Sequence, residues 1–301
     1  MRGALSKVAS GLSRHPTPLR GDLSKGRPTI RSMPTRPPLG ALVARWSPSS
    51  LPPSDGRLVI PPGARAFVLA GLAARAERPI LAVVPGEQEA RDLADDLALF
   101  AEQVAHLPAW ETLPFEHVSP NTTTMAARSK ARHLLATAPA GTVVVAPVRA
   151  VIQRVAPSDP TPLHLETGAT EPFDGLVNQL AALGYERTER VEHRGEFAVR
   201  GGIIDVYPVD GDTAARLDFW GDDIDSIREF DPNSQRSEGA VGVLEVHPAR
   251  ELRLDDELSA IAARLRDEHP WNQSVWDLIA EGHTFDGMES WMPWLVPARS
   301  V

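Results

Sequence analysis

Apolar positions follow two different periods along this chain, and the change from one to the other divides it. From Leu39 the pattern is mixed helix and strand. Between Glu87 and Val104, residues Ala90, Leu93, Ala94, Leu97, Phe100, Ala101 and Val104 fall on one helical stripe, with acids opposite. That predicts a helix over 87–104. Thr142–Ala146 is a short apolar run rich in β-branched residues, as in a strand buried on both faces of a parallel sheet. Further strands are expected at 57–60 and 79–84. Helices are expected at 67–76, at 124–136 with Asn121 or a following Thr as cap, and from Pro147 to Val151. This strand–helix order predicts a parallel sheet with helices on both faces.

The period then drops to two. A strand at 161–166 and an amphipathic helix at 173–183, ended by Gly184, lead into Tyr185-Glu186-Arg187 and a run of short strands. Phe197 and Val199 alternate with Ala198 and Arg200, Gly201-Gly202 turns the chain, and 203–207 resumes the extended pattern. Residues 216–220 and 224–230 form a hairpin about Gly221-Asp222-Asp223. An antiparallel sheet with one apolar face needs a cover, and the helix before it is the candidate. After Ser237 the helical period returns, with a strand at 241–247 and helices over 253–265, capped near Asp255, and 271–280.

Composition changes this picture in three places. The 301 residues suffice for two domains, or for one larger domain with an insertion, and 42% apolar content supports a real core. No apolar run is long enough to cross a bilayer, and with no cysteine there are neither disulfides nor thiolate metal sites, compatible with a cytoplasmic protein. Charge is uneven: residues 1–40 carry eight Lys or Arg against Asp22 alone, leaving −16 on the rest of a chain whose net charge is −9. An acidic body disfavours non-specific contact with a phosphate backbone. The basic stretch 1–38, rich in Arg, Ser, Pro and Gly, reads as a disordered tail. It also has the composition of an organellar transit peptide, and a basic arm for nucleic acid is a further reading. Met33 offers an alternative start to Met1.

No catalytic constellation emerges. There is no G-x-S-x-G elbow or H-E-x-x-H, and the nine histidines do not pair at metal-ligand spacing. His193 with Glu192 and Glu196 reads as a solvated strand face, and Asp222, Asp223 and Asp225 lack the remaining positions of a calcium loop. A P-loop needs glycines to wrap phosphates, a Lys for their charge and a Ser or Thr for magnesium. Pro61-Pro62-Gly63-Ala64-Arg65-Ala66 supplies Gly63 and no Lys-Ser or Lys-Thr pair. The nucleotide site is expected to be lost, and the chain to be no enzyme. The polar candidates are arginines on or beside strands, Arg187, Arg200 and Arg216, with Phe197 and Asp218 near them. Guanidinium groups offer planar, bidentate hydrogen bonding and are frequent interface anchors. Internal salt bridges to Glu186, Asp205 or Asp218 are the competing reading for each.

The wording EFAVRGGIIDVYP, RLDFWGDDIDSIREFD and SQRS, with PAWETLPFE and VVVAPVRAV before it, resembles the N-terminal module of the bacterial transcription-repair coupling factor. That module is similar to the UvrB protein of nucleotide excision repair. The resemblance runs from about Leu39 to the last residue. It implies a RecA-like, helicase-type parallel sheet with a degenerate nucleotide site over 39–151. An inserted α+β domain of the UvrB-interaction type then spans 152–236, and a return to the α/β body occupies 237–301. It implies that the inserted domain contacts UvrA through Arg187, Arg200, Arg216 and Asp218; UvrB has a further arginine at the position of Ala198, a contact either missing here or replaced by Phe197. RNA polymerase, DNA, ATP and magnesium belong to domains of the full-length family without counterpart here, so the chain is expected to be a fragment, a truncated gene or a stand-alone module. Two other readings stand beside recruitment: an ATP-dependent helicase-like enzyme with a cryptic nucleotide site, and DNA binding through the basic tail.

Overall fold

The structure, a computed structural model, describes residues 39–46, 56–113, 116–156 and 161–296. The expectations for the tail 1–38 and for Met33 lie outside the described residues.

Helices α1 (Gly40–Arg45) and α2 (Arg65–Ala73) precede strand β1 (Ile80–Val84). The expected strand at 57–60 is absent: Leu58 and Val59 are exposed and pair with no strand. Helix α3 (Glu87–Ala98) follows, shorter than expected, and Val104 belongs to strand β2 (Val104–His106). The apolar stripe misled because Phe100, Ala101 and Val104 pack in the same cluster as Ala90 and Leu97 from outside the helix. Helix α4 (Thr122–Thr137) is capped by Asn121, whose side chain accepts from Thr123 N–H at 2.9 Å. Strand β3 (Val143–Pro147) then leads into α5 (Val148–Ile152).

Strand β3 lies between β1 and β2, parallel to both. Its alternation explains the continuous apolar run. Val143 and Val145 pack with α1, α2 and α3 on one face. Val144 and Ala146 pack with α4 and α5 on the other. The mixed α/β expectation therefore holds, with a parallel sheet covered on both sides.

Strand β4 (Leu163–Glu166) and helix α6 (Phe173–Ala182) open the second unit. Gly184 follows the helix at φ 85°, a left-handed turn that a side chain would strain. Then come β5 (Glu186–Arg187), β6 (Glu196–Arg200), β7 (Ile203–Val206), β8 (Ala214–Trp220), β9 (Asp223–Phe230) and β10 (Ser237–Val241). They form one six-stranded sheet in the order β10-β9-β8-β7-β6-β5, antiparallel except where β5 joins β6. Strand β11 (Val243–Val246) pairs antiparallel with β4. Pairing thus continues past residue 236.

The sheet's apolar face is covered as expected. Leu176, Leu180 and Leu183 pack on Phe197, Ile204, Val206, Leu217 and Ile227, joined by Leu165, Leu244 and Val246 of the β4–β11 pair. Helices α7 (Asp256–Glu268), α8 (Gln273–Ala280) and α9 (Met292–Leu295) end the described chain. Asp255 caps α7 by accepting from Leu258 N–H at 2.9 Å. Their core centres on Trp276, with Trp291 edge-on at 5.2 Å. Trp294 keeps 39% of its surface, while Trp291 is buried.

One seam between the parallel-sheet body and the six-stranded sheet is polar. Lys130 of α4 pairs with Asp210 at 2.8 Å, and buried His247 lies 3.9 Å from the same carboxylate. Burial lowers the pKa of His247, against the opposing pull of Asp210 and Glu245; Lys130 and His133 add to the lowering. His106, on β2, is likewise lowered by burial, with Glu87 opposing. In the unfolded chain both titrate near ~6.5 and bind protons that the folded chain refuses. Their contribution is intact above that value and is lost as pH falls through the lowered folded values. The urea midpoint is therefore expected to drop between pH ~7.5 and ~5.5, with a shallower drop in His247→Gln. A midpoint that rises on acidification contradicts this.

Candidate functional site

Side-chain alternation sorts β6–β9 into two faces. Cross-strand register then aligns the outward residues in rows. One row runs Ala198–Asp205–Arg216–Arg228, and the next runs Arg200–Ile203–Asp218–Ser226. The alternation that buries Phe197, Ile204 and Leu217 therefore gathers three arginines and two aspartates on the opposite face.

Asp205 is the hub of that face. It is 1% exposed and accepts from Arg216 Nε at 2.6 Å, Arg216 Nη2 at 2.8 Å and Arg200 Nη2 at 2.7 Å. A buried carboxylate without such partners would be strongly disfavoured. The bidentate bond from Arg216 is matched by the Phe230 ring, 4.9 Å from the guanidinium carbon. The hydrogen bond to Asp205 raises the pKa of Arg216 further, so its charge is permanent. Asp218 accepts from Ser226 Oγ at 2.7 Å and from Arg228. Arg216 and Arg228 stand directly opposite one another, a like-charge pairing tolerated because each has its own carboxylate.

The five residues expected from sequence divide three ways. Arg200, Arg216 and Asp218 share the polar face, with side-chain exposures of 51%, 19% and 22%. Arg187 is on the edge strand β5, exposed, and makes no side-chain hydrogen bond or ion pair among the described residues. Phe197 is a correction: it is 1% exposed and points into the core beneath α6. Its position opposite Val206, one residue out of phase with the arginines, makes it a support of the sheet rather than a contact. Internal salt bridges hold for Arg200 and Arg216 but leave half of Arg200 exposed. Arg228, 43% exposed in its side chain, was missed by sequence reasoning. Its place across from Arg216 is set by the register of the β8–β9 hairpin, which residue type alone does not reveal.

The other polar groups considered have structural tasks. Glu196 accepts from the N–H groups of Glu192 and His193 at 2.7 and 2.8 Å, closing a turn. Glu111 and Glu116, which flank the proline-rich loop before α4, likewise accept from Asn121 N–H and Leu113 N–H. Among the described residues, no three His, Asp or Glu side chains are grouped to hold a metal. No helix there is long and apolar enough to cross a membrane.

This is an α/β chain carrying a UvrB interaction domain: the sequence pattern of the family described by that name matches residues 163–252. Transcription-repair-coupling factors match over more of it. The protein of Mycobacterium bovis is 38% identical over 260 residues, 80% of this chain and 21% of that protein. That of Myxococcus xanthus is 34% identical over 249 residues, 76% and 21%. That of Escherichia coli is 32% identical over 236 residues, 76% and 20%. The chain is thus similar to transcription-repair-coupling factors over most of its length and to the UvrB interaction domain over 163–252. It spans about a fifth of the length of the curated relatives it matches.

Proposed function

We propose that the chain is a protein-binding module that recruits UvrA in transcription-coupled nucleotide excision repair, using the arginine face of the six-stranded sheet. The observation that carries this is the state of Arg200. Its guanidinium is anchored to Asp205 by one 2.7 Å bond, yet half of the side chain faces solvent. A pre-positioned arginine loses little freedom on binding and keeps N–H donors for a partner's carboxylates. Arg187, across from Phe197 on the edge strand β5, offers a second, unpaired cation at the sheet's edge, Arg216 shares Asp205 with Arg200, and Arg228 extends the face. In this reading RNA polymerase and DNA are engaged through other parts of the full-length factor, as are ATP and magnesium. The parallel sheet of β1–β3 is then a RecA-like scaffold with a degenerate nucleotide site, since Gly63, in the turn before α2, is followed by no Lys-Ser or Lys-Thr pair.

The test is direct calorimetric binding to UvrA beside the double variant Arg187→Ala, Arg200→Ala, checked for folding by circular dichroism. The wild-type chain is expected to bind saturably, and the folded double variant to lose at least about tenfold in affinity. No binding by a folded wild-type chain means that the family relationship extends to the fold and not to this partner.

A further inference from the structure

We propose that Trp220 is the apolar anchor of the same face, seated on binding in a socket of the partner protein whose rim is acidic on the side that meets Arg200 and Arg228; this rests on the recruitment reading above. Trp220 is 83% exposed, at the tip of the β8–β9 hairpin. Along β8, Leu217 and Phe219 turn inward to the core, so Asp218 and Trp220 turn outward onto the arginine face. The Gly201–Gly202 turn that follows Arg200 meets β8 at that same end, through the 2.8 Å bond from Phe219 N–H to Gly202 O. Arg200 and Trp220 therefore stand at one end of one face.

The tip is held from behind. Asp222 Oδ1 accepts from Phe173 N–H at 3.0 Å, and Asp222 O accepts from Glu171 N–H at 2.7 Å. Asp223 Oδ1 accepts from Thr170 Oγ1 at 2.6 Å. Phe219 packs edge-on against Phe173 at 5.1 Å. The backbone that carries Trp220 is thus fixed before any partner arrives, while its side chain buries almost nothing within the chain. A large aromatic so presented beside arginines has the composition and pre-organisation of an interface anchor.

The charges specify the partner. Asp205 is buried and Asp218 is mostly covered, whereas Arg200 and Arg228 project. Carboxylates on the partner complement that side. A tryptophan beside arginines can also stack on single-stranded nucleic acid. Here Asp222, Asp223 and Asp225 surround the tip, on a chain of net charge −9, and repel a phosphate backbone. A protein surface is the occupant that fits.

The deciding experiment titrates UvrA and, separately, an oligo-dT single strand into the full chain, Trp220→Ala and Trp220→Phe. With its indole in solvent, Trp220→Ala is expected to keep the wild-type circular dichroism and urea midpoint. Its affinity for UvrA should fall by roughly thirtyfold, with Trp220→Phe recovering part of the loss. An affinity within about threefold of wild type overturns the anchor and leaves recruitment standing. Absence of wild-type binding to UvrA overturns both. Oligonucleotide binding that depends on Trp220, with UvrA binding unchanged, overturns the choice of a protein partner.

Discussion

Glu251→Gln is expected to lower the stability of the chain by about 3–5 kcal/mol, the usual cost of removing one partner from a buried ion pair. Arg128 of α4 and Glu251, beyond β11, are both 0% exposed at their side chains and meet at 2.7 Å. Glu251 also accepts from Trp110 Nε1 at 3.0 Å and lies 3.6 Å from Arg132. Arg128 also donates to Pro108 O at 2.9 Å and to Gln153 Oε1 at 3.2 Å. The pair therefore ties the parallel-sheet body to the point where the chain leaves the second unit. Replacing the carboxylate by its amide keeps the shape and strands a guanidinium that cannot shed its proton. Removing Arg128 is milder, because Arg132 remains and a buried carboxylate can take up a proton. Urea denaturation should rank Glu251→Gln as more destabilised than Arg128→Met. The double variant Arg128→Met, Glu251→Leu should recover part of the loss. A change below about 1 kcal/mol in Glu251→Gln would show that the pair behaves as if solvated.

Phe197→Ala is expected to cost a further ~3–5 kcal/mol by itself, the range for deleting a buried aromatic ring and leaving a cavity. The ring packs in the cluster built by α6, the β4–β11 pair and the inward side of the sheet. At temperatures where the variant stays folded, its affinity for UvrA should remain close to wild type, because the ring is on the opposite side from Arg200. Arg200→Ala should show the reverse: a small change in urea midpoint and a large change in binding. That crossed pattern separates a residue that supports the face from one that forms it. Loss of binding by folded Phe197→Ala, with stability unchanged, would return the residue to the contact surface.

The polar face was legible in sequence only in part, for reasons visible in β6 and β8. Arg200 and Arg216 announced themselves by residue type. Phe197 was drawn into the same group by proximity along the chain, although a single step of strand alternation sends it to the other side. Arg228 and Trp220 were invisible as members because membership depends on hydrogen-bond register. Ser226 stands opposite Asp218, and Ile224 opposite Phe219, with an irregularity between them. The helix expected over 87–104 failed for a related reason. A stripe of apolar residues records which side faces the core, and the chain turned from helix to strand while continuing to face it.

The amino-acid sequence alone determined most of the alternation of helices and strands, the α6 cover for the sheet, the caps at Asn121 and Asp255, and the resemblance to transcription-repair-coupling factors. Each of these rests on neighbours along the chain, or on long ordered wording that no fold is needed to read. Only the tertiary structure decided that β4 pairs with β11, that Asp205 gathers Arg200 and Arg216, and that Arg128 closes on Glu251 across 123 positions. Those contacts depend on strand order and on the docking of one unit against another. Sequence periodicity carries the direction in which a side chain points, but not what lies opposite it.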